Sequence, residues 1–73
     1  MTTREIIDKL PELVLTRVKA YRNDYTGCTS IRLQAEIRDR MAGYVLGLRD
    51  AGLITEYERR AIFTYMTVAP AKR

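Results

Sequence analysis

"LRDAGLITEYE", residues 48 to 58, reads as the junction of two helices, and its local chemistry decides the fold. Gly52 stands where a helix ends in the left-handed conformation that glycine adopts without strain, and Leu53 falls at the position that touches Leu48 in a Schellman cap. Thr55 and Glu58 have the spacing of a capping box, in which the hydroxyl accepts from the backbone three residues on and the carboxylate reaches back. A tight helical hairpin follows from these signals.

Upstream of that junction, Leu33, Ile37, Met41, Tyr44, Val45 and Leu48 share one helical face, which predicts a helix over 30–51. Downstream, Ala61, Ile62, Tyr65 and Met66 predict a helix over 56–67, with a frayed tail at 69–73. Near the N-terminus, Ile6, Ile7, Leu10, Leu13, Val14, Val18 and Tyr21 recur at helical spacing and predict a helix over 3–23, capped by Thr2 or Thr3. Pro11 removes a backbone donor inside that run, so a kink or a break is expected there. The expected fold is all-α: a compact three- to four-helix bundle without a sheet, forming a single domain over 1–73.

A domain of 73 residues buries only about 60% of its unfolded surface and tends to be marginal alone, so help from a partner or a second copy is expected. The usual reinforcements are missing from the composition. One cysteine cannot form an internal disulfide, and without histidine there is no zinc-type ligand set, so neither a metal nor another cofactor is expected. Thirteen basic residues, ten of them arginine, outweigh nine acidic ones, which favours an anionic partner. The excess is spread along the chain and forms no basic block. No apolar run is long enough to span a membrane, and "MTTREII" resembles neither a signal nor a transit peptide, so the expected compartment is the cytoplasm.

The least regular stretch is "NDYTGCTSIR", residues 23–32. Gly27, Thr29 and Ser30 lie where backbone N–H groups at a helix start can face an anion, and Arg32 follows one turn on. Ordinary capping by Thr29 or Ser30 is the alternative reading, and it stays open at this point. Arg17 falls within the apolar face of the first helix, so it either snorkels out, meets Asp39 or Asp50, or awaits an anion. Tyr21 and Tyr25 follow it at four-residue steps, a set suited to stacking a base and holding its phosphate.

Catalytic versions of this site fail on composition. A phosphatase-type loop needs an arginine at the sixth position after its cysteine, and that position after Cys28 is Gln34. A P-loop needs a strand and a GxxxxGK[ST] run, which the chain lacks. Without a histidine base, a second cysteine or paired carboxylates on one helical face, no group is activated for chemistry, and we read the chain as a non-enzyme.

The glycine turn also invites a helix-turn-helix reading, in which Arg59 and Arg60 would anchor DNA. Its register is poor: the bulky Leu48 stands where a small residue is required, and Glu58 stands where an apolar one is. Glu56 and Glu58 would also repel phosphates. DNA-binding regulation is therefore the second choice.

A further group of residues falls on the wrong face for a simple core. Ile31, Ala35, Ala42 and Leu46 form a second stripe on the 30–51 helix, beside Gly43 and Gly47, whose spacing lets another helix approach closely. Leu15 and Phe63 likewise lie among polar neighbours. Either the bundle covers this helix on both sides, or these eight residues face a second copy of the chain; homo-oligomerisation is the expectation.

Residues 48–58 resemble the hairpin of SHOCT-type short helical domains, which pair a leucine-bearing helix with GxIT and an acidic helix start; "RRAIFTYMT" departs from the lysine-rich ending usual there. As a short, arginine-rich chain, the whole is similar to small accessory and counter-defence proteins of phages and mobile elements. That resemblance implies action by stoichiometric binding: blocking a host macromolecule, or sequestering a small anionic ligand such as a nucleotide.

Overall fold

The computed structural model describes residues 2–68, and its ordered elements are four helices: α1 (Thr3–Asp8), α2 (Glu12–Gly27), α3 (Ile31–Asp50) and α4 (Glu56–Thr67). Among the described residues there is no strand, so the fold is an all-α bundle. The expected fray at 69–73 lies outside the described residues.

The N-terminal run is divided at Pro11. A proline ring there would strike the carbonyl one turn back and it has no N–H to donate, so the chain leaves the helix after Asp8 and restarts with Pro11 as the N-cap of α2. Both sides of the break are secured locally. Thr2 and Glu5 form a capping box at the start of α1, and the Leu15 N–H donates to the Pro11 carbonyl at 2.8 Å.

α2 runs to Gly27, four residues beyond the expected end at 23. Tyr25 lies one and two turns on from Tyr21 and Val18 and packs against the core, and this tertiary contact, with a local bond from the Thr26 hydroxyl to the Arg22 carbonyl at 2.8 Å, carries the helix through Asn23 and Asp24. The corner between α2 and α3 shrinks to Cys28, Thr29 and Ser30.

The α3–α4 hairpin forms as its sequence dictates. Leu53 N–H donates to the Leu48 carbonyl at 3.0 Å and Gly52 N–H to that of Arg49 at 2.9 Å, the two bonds of a Schellman motif, with Gly52 at φ +79°. Thr55 and Glu58 form the capping box of α4. One detail differs: the Leu53 side chain is 62% exposed, and Ile54 enters the core in its place.

The core comprises Ile6, Ile7, Val18, Met41, Val45, Leu48, Ile54, Ile62 and Met66, drawn from all four helices and the hairpin. Each such side chain contributes about 1.5–3 kcal/mol when fully buried. The shortest of the three longer helices, α4, packs against each of the others, and α2 crosses α3 beside it. Two residues expected in the core are outside it. Leu13 is 86% exposed, because the break at Pro11 frees α2 to rotate about its own axis, and Leu33 lies beyond the edge of the α3 face that meets α4.

Candidate functional site

Two surfaces concentrate what this fold leaves unused, and the first is the outer face of α3. Ile31, Ala35, Ala42, Gly43, Leu46 and Gly47 are all exposed there, with Ile31 at 85% and Leu46 at 41%. Among the described residues no helix covers this stripe. A Cβ added at Gly43 or Gly47 would meet nothing within 4 Å, so neither glycine serves a close approach inside the bundle. Leu15 and Phe63 do not belong with them: both are half-buried and pack against the core, because α2 and α4 bury a wider arc than their sequence stripes suggested.

The second surface is the α2–α3 side of the molecule, where the proposed anion seat divides into two. At the corner, Gly27 is the last residue of α2 rather than a loop glycine, Thr29 is exposed, and Ser30 is the N-cap of α3, its hydroxyl accepting from the Leu33 N–H at 3.3 Å. The corner is laced internally: Gln34 Nε2 donates to the Tyr25 carbonyl at 3.1 Å, and Cys28 Sγ donates to the Ser30 carbonyl at 3.5 Å. Arg32 projects from the first turn of α3, exposed.

Arg17 and Tyr21 lie elsewhere. Arg17 is exposed rather than buried in an apolar face, and Tyr21 packs on Tyr44 of α3 with ring centroids 5.6 Å apart and planes tilted by 51°. Burial pushes the Tyr44 phenol up, and the Arg17 charge opposes that shift; Arg17 stands one turn before Tyr21, the ring that meets Tyr44. Tyr44 and Arg32 are separated along α3 by about 18 Å, so Arg17 and Arg32 of one chain do not converge on one phosphate.

The cation that does meet the core is Arg22. Its guanidinium lies 4.6 Å from the Tyr65 ring centroid, and its Nε donates to the Tyr65 carbonyl at 3.0 Å, at the C-terminal end of α4 where the helix dipole favours positive charge. The signal was present in the sequence: Arg22 is one turn from Val18, but a wheel centred on Leu13 points to Arg17 instead.

Arg59 and Arg60, the anchors required by a helix-turn-helix, are engaged within the hairpin. Glu56 accepts from Arg59 Nη2 at 2.6 Å, Arg49 Nη1 at 2.8 Å and Arg60 Nε at 3.1 Å. The hydrogen bonds from Arg59, then Arg49, then Arg60 hold its carboxyl well below the usual carboxylate range. The pair Arg49–Glu56 spans the junction, tying the last turn of α3 to the first of α4.

A shallow groove of about 330 Å³ between α1 and α4 is lined by Thr3, Tyr57, Arg60, Ala61 and Thr64. Among the described residues no three His, Cys, Asp or Glu side chains gather as a metal site, and no helix is long and apolar enough to cross a membrane. No protein-family model, curated protein or solved structure matches this chain.

Proposed function

We propose that this protein is a non-catalytic binding protein that acts stoichiometrically and assembles with a second copy through the outer face of α3. The carrying observation is an apolar stripe with Ile31 and Leu46, large and exposed, bordered by Gly43 and Gly47, which have open space where a side chain would stand. Glycine inside a helix costs about 1 kcal/mol relative to alanine, and nothing among the described residues uses that concession. A helix from another copy does, because backbones can approach closely only where side chains are absent. α3 is about 30 Å long by its 20 residues, so a contact along it lies toward the small end of specific interfaces, and micromolar self-association is expected.

Blocking a macromolecular partner is the mode of action that such a scaffold supports: a composition with no histidine and one cysteine favours recognition over chemistry. Size-exclusion chromatography with light scattering tests the assembly. Wild type should elute as an oligomer at tens of micromolar, a concentration chosen to be about tenfold above a micromolar dissociation constant, and Leu46→Glu should elute at the 8.5 kDa chain mass. Identical masses for the two proteins would remove the interface.

A second reading, capture of an anionic ligand, is favoured by Arg17, Arg32, Arg38 and Arg40. All four are exposed and none makes an ion pair or hydrogen bond with the described residues. Arginines left unneutralised on a small surface are well suited to phosphate.

A further inference from the structure

Two segments of the chain carry the same pattern: Arg17-Val-Lys-Ala-Tyr21 on α2 and Arg40-Met-Ala-Gly-Tyr44 on α3. Residues four apart share one face of a helix, and a long side chain leans back over the turn N-terminal to its own Cα. Each tyrosine therefore leans toward the arginine of its own segment. The crossing of α2 and α3 then joins the two units, since Tyr21 and Tyr44 are in ring contact at 5.6 Å. The result is a half-buried pair of aromatic rings with an exposed arginine standing one turn from each.

The charges around this pair are one-sided. Neither Arg17 nor Arg40 makes an ion pair with the described residues, Glu36, one turn before Arg40, included. By contrast, Arg22 already spends its cation–π contact on Tyr65, and Arg49, Arg59 and Arg60 are held by Glu56. Among the arginines of the described residues, Arg17 and Arg40 thus combine freedom from acids with aromatic surface one turn away. The Arg17 charge also reaches Tyr44 across the crossing, so the two units act on each other and not only on their own helices.

We propose that Arg17, Tyr21, Arg40 and Tyr44 form a binding site for a nucleotide unit, with the base stacked against the tyrosine pair and its phosphate held by the two guanidiniums. Tyrosine offers a face to any base, and arginine forks onto phosphate oxygens while stacking on aromatic planes. The chemistry is the same for a free nucleotide and for one unit of a single strand. This site deepens the anion-capture reading above and rests on it; Arg40 lies one turn before Gly43 and two turns before Gly47, so its test reads ligand binding and not self-association.

Calorimetry with AMP and with a cyclic dinucleotide, and fluorescence anisotropy with a labelled oligothymidine, test the two sources separately. Binding in any one arm should fall roughly tenfold or more in each of Arg17→Ala and Arg40→Ala, the loss expected for a charge-assisted contact. Tyr44→Phe should retain binding and Tyr44→Leu should lose it, because stacking needs the ring and not the hydroxyl. Arg4→Ala removes the same charge from α1, where Arg4 pairs with Asp8, and should change little. Circular dichroism should report the same helix content for both arginine variants, whose side chains are exposed. Binding that ignores Arg17 and Arg40, or that falls equally in Arg4→Ala, overturns this site while leaving anion capture standing. No binding in any arm removes both.

Discussion

Glu56 is the residue on which the hairpin's charges turn, since three arginines from two helices donate to it. Its carboxyl is depressed by those bonds, so its contribution to stability is complete above the ordinary carboxylate pKa of about 4.3 and is lost as pH falls toward the folded value. Glu56→Gln should melt below wild type at neutral pH, and the gap should narrow as pH drops from about 5 to about 2. A gap independent of pH would mean that the ion pairs do not stabilise the fold. Glu5, held low by the Thr2 backbone N–H and hydroxyl, titrates in both proteins and cancels in the comparison. Tyr44 gives a second check at this scale. Arg17 opposes the rise caused by burial, so Arg17→Ala should push the phenol of Tyr44 higher still, read by NMR titration of the tyrosine ring carbons. The sequence pointed to Arg17 and Tyr21, but it paired them with Tyr25 and the corner loop. Which tyrosine meets Tyr21 is set by the crossing of α2 and α3, a contact between residues 23 positions apart that no local pattern encodes.

At the scale of elements, the hairpin was legible because each of its devices acts within a few residues. Glycine at φ +79°, the two Schellman bonds and the Thr55–Glu58 box are all local, and the ends of α4 follow from them. Gly52→Ala should destabilise by about 1–2 kcal/mol, the penalty of placing a Cβ in the left-handed region, measurable by urea denaturation. The C-terminus of α2 was not legible, since the contact that extends it through Tyr25 is tertiary. Pro11 explains the other error: its break was readable, but the rotation of the helix that follows it was not, and Leu13 and Arg17 were assigned to a face that α2 turns outward.

For the whole molecule, the core is small and centred on α4, whose Ile62 and Met66 are fully buried. Ile62→Ala should cost about 2–5 kcal/mol. A domain of this length has roughly 4–11 kcal/mol in total, so the variant should lose much of its cooperative melting transition. Such a fold has little stability to spare, yet it keeps two glycines in the middle of its longest helix, on a face that its own helices leave uncovered. A second copy on that face accounts for both facts, and the most direct test is the double substitution Gly43→Ala, Gly47→Ala. With open space at both positions, the alanines should raise the stability of the monomer by about 1 kcal/mol each, seen by denaturation at low concentration. If α3 meets another helix closely, the same methyl groups must weaken association, so sedimentation equilibrium should show the oligomer of wild type giving way to the monomer. A double variant that is more stable and assembles as wild type does, or a wild type that sediments as a monomer at tens of micromolar, about tenfold above the expected dissociation constant, would contradict the account.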